Sequence, residues 1–234
     1  MNKLELSPRL AAIAHQVPQG AKLADVGTDH AYLPVCLLLD GTISQAVASD
    51  VNEGPLQRGR ETARIYGVED KITFRCCDGL AGIGPDQADT VAICGMGGEL
   101  IARILDRAPW TKEVLLLLQP MSSQPELRQW LLNNGYGIQR ELVVKEGAKY
   151  YVILTVAGGR NGIPYTPAEL WVGRQNQGED NPHRKGYLED QIRRRERALA
   201  GMKQGSVNQE ALAQEEGLLA ELQAMEKEWS AWQW

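Results

Sequence analysis

The stretch Leu23-Ala24-Asp25-Val26-Gly27-Thr28-Asp29-His30 sets two carboxylates and an imidazole around a glycine, directly after a short apolar run. Carboxylates accept hydrogen bonds and attract positive charge. A phosphate at this turn would need amide donors instead, so the pattern points to a cationic ligand with an amino group. Gly27 has no Cβ, which lets the backbone pass close to such a ligand. Asp29 also has a simpler use, as the cap of the following helix. The unit reads as strand, tight turn and helix, with the helix running through Tyr32 to Leu39. That is the first unit of a doubly wound α/β sheet, whose ligands sit at the carboxyl ends of the strands.

Two more acids fall at predicted strand ends. Ser44 to Asp50 reads as a second strand, and an acid about twenty residues past the first glycine turn takes ribose hydroxyls in such folds. Lys71 to Cys76 reads as a third strand, followed by Cys77-Asp78-Gly79. Asp78 can accept from an exocyclic amine such as that of adenine, or simply form an Asp-Gly turn. A fourth strand, Ala88 to Cys94, runs into Gly95-Met96-Gly97-Gly98, which suits close approach of backbone to ligand or merely turns the chain. Taken in order, these acids fit S-adenosylmethionine (SAM): methionine end first, then ribose, then adenine. A nicotinamide dinucleotide would call for G-x-G-x-x-G at the first turn, where Gly27-Thr28-Asp29-His30 stands.

The elements that must position these residues are legible as patterns. Ser7 and Pro8 suit the start of a helix reaching about His15, a histidine read as structural or solvated. Glu53 to Tyr66 and Glu99 to Arg107 read as helices, the arginines Arg58, Arg60 and Arg64 as a solvated face. Val114 to Leu118 is continuously apolar, as a strand buried on both faces requires, and Ser123 is placed to cap the helix reaching Asn133. Tyr136 to Lys145 and Tyr150 to Val156 form a predicted hairpin about Glu146-Gly147-Ala148-Lys149, so the last strand should insert antiparallel. Gly158 to Gly162 reads as a boundary, dividing a domain over 1–160 from a helical one over 161–234. Beyond it, Thr166-Pro167 starts a helix and Gly178 to Pro182 interrupts it. From about Gly186 two charged helices with coiled-coil spacing, broken at Gly205-Ser206, form a helical hairpin.

With 234 residues, 43% of them hydrophobic, the chain can fill one α/β core and an appendage. No apolar run is long enough to span a membrane and Met1 to Leu6 lacks a secretory apolar region, so a cytoplasmic protein is expected. Cys36, Cys76, Cys77 and Cys94 lack metal-ligand spacing; they read as reduced thiols, and no metal is expected. A net charge of −5 argues weakly against nucleic acid, but local patches decide that question.

Asp25 to Pro34, Asp78-Gly79-Leu80, Cys94 to Gly98 and Leu118-Gln119-Pro120 resemble the bacterial tRNA (adenine-22-N1)-methyltransferases, the TrmK family. The resemblance extends over nearly the whole chain and is loosest in the C-terminal arm. It implies a Rossmann-like SAM-dependent methyltransferase domain, a mostly parallel doubly wound sheet with its last strand antiparallel, followed by a C-terminal helical hairpin or coiled coil. It further implies methylation of ring nitrogen N1 of an adenine in the tRNA D-arm, with S-adenosylhomocysteine as coproduct. The absence of Asn-Pro-Pro-Tyr at the fourth strand end disfavours an exocyclic amine and is consistent with a ring nitrogen.

Carried over residue by residue, Asp25, Gly27, Thr28 and Asp29 line the methionine side, Asp50 holds the ribose, and Asp78 with Gly79 reads the adenine of SAM. Gly95 and Met96 complete the cofactor site, and Gly97 and Gly98 flank the target base. Asp29 is the candidate to take a proton or orient the base, with His30 and Tyr32 behind it. Arg140, Lys145 and Lys149 near the hairpin, and Arg184, Lys185, Arg193, Arg194 and Arg197 on the arm, are candidates for tRNA phosphates, or else a solvated helix balanced by Glu189, Asp190 and Glu196. No protein partner is required, and the oligomeric state is open. A competing reading is a non-catalytic SAM- or nucleotide-binding module that holds a protein partner through its helical arm; another is a small-molecule methyltransferase.

Overall fold

The structure is a computed structural model and describes residues 4–159, 164–204 and 208–232. The chain divides into two compact units. One comprises Met1–Arg140 and Val144–Asn161, the other Glu141–Val143 and Gly162–Trp234. The boundary expected at 160/161 and the break at Gly205-Ser206 lie outside the described residues.

The first unit opens with α1 (Pro8–Ala14), followed by β1 (Leu23–Val26), α2 (Tyr32–Leu39), β2 (Ala46–Asp50), α3 (Glu53–Ile65) and β3 (Ile72–Cys76). The chain continues through β4 (Thr90–Gly97), α4 (Gly98–Asp106), β5 (Leu115–Ser122), α5 (Gln124–Asn133), β6 (Tyr136–Glu146) and β7 (Lys149–Gly158). The strands form one seven-stranded sheet in the order β3-β2-β1-β4-β5-β7-β6. Strands β1 to β5 pair in parallel, and β7 runs antiparallel to β5 with Leu117 opposite Thr155. The expected insertion of the last strand is therefore observed. The order reverses between β1 and β4, where Asp25 faces Ala92 and Val26 faces Ile93. Crevices at such reversals are where open α/β sheets take ligands.

The central strands are apolar because helices cover both faces: Leu23, Ala24, Val91, Ile93 and Leu116 to Leu118 are all buried. Two expectations are corrected. The Gly95–Gly97 segment is not a plain turn but the end of β4, paired with β5 across a bulge at Cys94/Met96. A bulge with Gly95 at φ +77° re-aims the strand end without ending the pairing. Ser7 and Ser123 stand at helix starts without capping them through their side chains. Ser123 lies in the left-handed region at φ +51°, away from the extended backbone that a side-chain cap uses.

The second unit begins with the expected helix, α6 (Pro167–Val172), closed by a full capping box between Thr166 and Glu169. Burial alone would raise the Glu169 carboxyl, but hydrogen bonds from Arg174 and the Thr166 backbone outweigh it and hold the carboxyl below its ordinary range. Helices α7 (Arg184–Gln204) and α8 (Gln209–Ala231) pair antiparallel as a hairpin. Ion pairs Arg195–Glu215 at 3.2 Å and Lys203–Glu216 at 2.7 Å join them. Trp229 is buried under the Arg184 guanidinium, 4.0 Å from its ring centroid, so this tryptophan packs within its own unit. Trp234 lies outside the described residues.

Candidate active site

The end of β1 is tied to the end of β2. The Gly27 and Thr28 N–H groups both donate to the Ser49 carbonyl, at 2.7 and 2.9 Å. Gly27 takes φ +75°, and the tip of the Met96 side chain fills the space where a Cβ would stand. The backbone conformation is what favours glycine here, since the flexible Met96 tip could move aside for a Cβ. His30 and Ala31 follow at φ +64° and +52°. Two successive non-glycine residues in the left-handed region cost about 1–2 kcal/mol each, and such strain concentrates at functional sites. It turns the His30 and Tyr32 rings into a parallel stack, centroids 5.1 Å apart and planes 8° from parallel.

Asp25, Gly27, Thr28, Asp29, His30 and Tyr32 line a pocket of about 320 Å³ at the order reversal, bounded also by Arg9, Cys94, Gly95 and Gln119. Asp25 is 7% exposed at its base. Burial pushes its carboxyl up to about 6, a rise that the adjacent Thr28 hydroxyl offsets only in part because it makes no full hydrogen bond. Burial, and then the Asp25 charge, also push the Cys94 thiol well above its ordinary range, so it stays protonated and is no nucleophile. A buried carboxylate carrying that penalty in an open pocket fits a ligand that brings a positive charge to it.

Asp29 does not cap α2. It is 62% exposed and receives two hydrogen bonds from Arg58, from Nε at 3.1 Å and Nη2 at 2.8 Å. Gly59 makes this possible: a Cβ there would press on Phe74 and Ala31, so only glycine lets α3 approach this closely. Asp50 accepts from the Asn52 N–H at 2.7 Å, and its carbonyl receives the Cys77 N–H. Asp78 is exposed and ion-paired with Arg107 at 2.6 Å. Gly79 takes φ +60° against Ile104, with its carbonyl accepting from the Ser49 hydroxyl. The acids thus stand at the carboxyl ends of β1, β2 and β3, neighbouring strands of the sheet.

Across the pocket, Gln119 is buried and braces β4 against β5. Its Oε1 accepts from the Gly95 N–H at 3.2 Å, and its Nε2 donates to the Pro120 carbonyl and toward the Met121 sulfur. Gly97 packs beside Ser122. Gly98 is buried against the Ser122 and Ser123 carbonyls and Leu127, which makes its lack of a side chain a packing requirement.

Among the proposed phosphate contacts, Arg140, Lys145, Lys149, Lys185, Arg193, Arg194 and Arg197 are exposed. Arg193 and Arg194 share Asp190 on their own helix, at 3.7 and 2.7 Å. Arg184 is a correction. It is 1% exposed, lies over the Trp229 ring, and donates to the carbonyls of Gly173 at 3.0 Å and Arg174 at 3.1 Å. A cation spent in this way holds the helical unit together and cannot reach a phosphate. Four residues at or beside the site were given no role there from the sequence: Arg9, Gln119, Arg58 and Arg107. Gln119 alone had a local signal, its place at the end of a buried strand; the others pair over long sequence separations. Among the described residues no cluster of potential metal ligands occurs, and no helix is long and apolar enough to cross a membrane.

Residues 6–154 match a family model described as a methyltransferase domain. The Bacillus subtilis (strain 168) tRNA (adenine(22)-N(1))-methyltransferase is 36% identical over 175 residues, 74% of this chain and 74% of that protein. The crystal structure of the B. subtilis m1A22 tRNA methyltransferase TrmK superposes with a TM-score of 0.81 at 31% identity, covering 96% of this chain and 98% of that one. A Streptococcus pneumoniae candidate tRNA (m1A22) methyltransferase in complex with S-adenosyl-L-methionine does so with a TM-score of 0.80 at 34% identity, over 93% and 99% of the two chains. Strand order, pocket chemistry and these likenesses agree, and the chain belongs to the bacterial tRNA (adenine-22-N1)-methyltransferase family.

Proposed function

We propose that this protein transfers a methyl group from SAM to N1 of the adenine at position 22, in the D-arm of tRNA, and does so in the cytoplasm. The observation that carries the reading is the buried, charge-penalised Asp25 at the base of a pocket that Asp29 also lines, in a chain whose relatives are named for this reaction. Bound there, SAM supplies a sulfonium methyl group, which passes to the lone pair of the ring nitrogen and leaves S-adenosylhomocysteine.

The chain's own residues supply position. Asp25 meets the ammonium of the methionine end, and Asp50 takes the ribose hydroxyls. Asp78 takes the adenine amine after exchanging its Arg107 partner. These contacts fix the cofactor, while the His30–Tyr32 stack, with Tyr32 38% exposed, offers a flat face to an incoming base. A neutral adenine needs no prior deprotonation, so alignment provides most of the rate, with effective molarities of about 10⁵ M or more in favourable cases. The attacked edge is the pairing edge, so the base must leave its stack, at a cost of a few kcal/mol. After transfer the base is cationic. Asp29, held by Arg58, orients its amino group or takes a proton from it.

The test is label transfer from methyl-labelled SAM to two unmodified tRNA transcripts, one with adenine and one with guanine at position 22. Label in the first alone is expected. Label in both would overturn the assigned position. No label in either, with SAM still bound, would favour a binding module or a substrate other than tRNA.

A further inference from the structure

A base drawn out of a helix leaves a gap, and proteins that hold such distortions open often fill it with an apolar side chain. Met121 has the placement for this. It lies at the end of β5, 45% exposed, an unbranched apolar chain on the surface. Its thioether is nevertheless not free. Arg9 Nη1 approaches the sulfur at 3.7 Å and Gln119 Nε2 at 3.4 Å. Both of those residues line the pocket, so Met121 stands on its rim. Arg9 in turn rests 5.1 Å from the Tyr151 ring centroid and 3.8 Å from Glu146, and Gln119 is fixed by the Gly95 N–H. A flexible side chain is thus ordered at its sulfur while its flank faces solvent. The pocket carries a second exposed apolar group, Tyr32, stacked on His30. An extruded base requires two surfaces, one to stack on and one to hold its former place shut. Tyr32 and Met121 supply one of each, and Arg9 adds a positive charge beside the second.

We propose that Met121 is the wedge that enters the D-arm stack and keeps the target adenine extruded, with Arg9 and Gln119 as its positioning residues. The proposal rests on the tRNA methyl-transfer reading above. The wedge works by bulk and apolarity, so leucine should replace it and alanine should not.

The test uses the full-length protein with tRNA carrying 2-aminopurine at position 22, whose fluorescence rises on unstacking, together with single-turnover methylation of the unsubstituted tRNA. Wild-type protein should give the rise and the methylation. Met121→Ala should cut the fluorescence rise at least threefold and the methylation rate 10- to 100-fold, with the SAM dissociation constant unchanged within twofold. Met121→Leu should restore both. Wild-type fluorescence and rate in Met121→Ala would overturn the wedge and leave the methyl-transfer reading standing. A fall in SAM affinity as large as the fall in rate would also overturn it, since Met121 would then shape the cofactor pocket. Failure of Met121→Leu to recover would exclude apolar bulk as the cause. If wild-type protein does not methylate the unsubstituted tRNA, the methyl-transfer reading falls and the wedge with it.

Discussion

Replacing Asp25 by Asn should stabilise the cofactor-free protein and at the same time weaken its grip on SAM. The Asp25 carboxyl titrates at about 6 in the folded protein against an ordinary 3.8, because burial penalises the charged form. Folding therefore takes up a proton between those pH values, and stability from this group falls as pH rises from about 3.8 to about 6. Above pH 6 the folded chain carries the charge at a cost of about 3 kcal/mol, at roughly 1.4 kcal/mol per pH unit. Asparagine keeps the shape and removes that cost. Its buried amide returns about 1 kcal/mol, for a net gain of about 2 kcal/mol. For a chain of this length that is a rise in Tm of about 4–8 °C at neutral pH. Near pH 4.5 most of the wild-type carboxyl is already protonated, so the difference should shrink to about 1 kcal/mol or less. SAM binding should move the other way. Loss of a charge-assisted hydrogen bond worth about 1.5–3 kcal/mol raises the dissociation constant roughly 10- to 150-fold, and wild-type affinity should itself decline as pH falls through about 6. Thermal melts of both proteins at pH 7.5 and 4.5, with calorimetric SAM titrations at pH 7.5, read all of these quantities. A lower Tm for Asp25→Asn at pH 7.5 would refute the claim that the buried charge is a burden. Unchanged SAM affinity would refute the claim that the cofactor relieves it.

Asp29→Ala should cut turnover at least tenfold, the low end for a lost charged hydrogen bond, with tRNA affinity within threefold; equal losses in both would count against a role at the reacting base. Arg58→Ala should leave stability within about 1 kcal/mol, because the pair it forms with Asp29 is exposed, yet lower kcat by freeing Asp29 to move. Arg184→Ala should destabilise the helical unit by about 3–5 kcal/mol, since two carbonyls lose their donor and Trp229 its cation. Circular dichroism melts and protease sensitivity of the C-terminal helices would show this, and a melting curve like that of the wild type would contradict the structural role. If Arg140, Lys145, Lys149, Arg193 and Arg197 meet phosphates, raising salt from 50 to 200 mM should weaken tRNA binding on the order of 10²- to 10³-fold; a flat response would remove them from the interface.

Much of this protein was legible along the chain, because the signals involved are local. Apolar runs such as Leu115 to Leu118 declare buried parallel strands. The acids at 25 and 50 mark strand ends because each stands at or near the end of such a run, and Asp78 does so through the Asp-Gly pair that follows β3. Gly27 announces a turn through a backbone conformation that other residues rarely adopt. Thr166 and Glu169 spell a helix start within four residues. What the tertiary structure decided is how each charge is spent. Asp29 and Arg58, or Asp78 and Arg107, stand 29 residues apart in sequence, and Arg9 lies 112 from Met121. Nothing local distinguishes Arg184, buried over Trp229, from Arg197, exposed on the same helix. Nor does spacing tell Gly27, which opens the pocket, from Gly98, which packs α4 against the end of β5. Local pattern determines which backbone a segment adopts, because torsional preference and hydrophobic period act over a few residues. The partner of a polar side chain is settled only when distant segments pack, because burial and proximity, which fix its charge state and its use, do not exist until then.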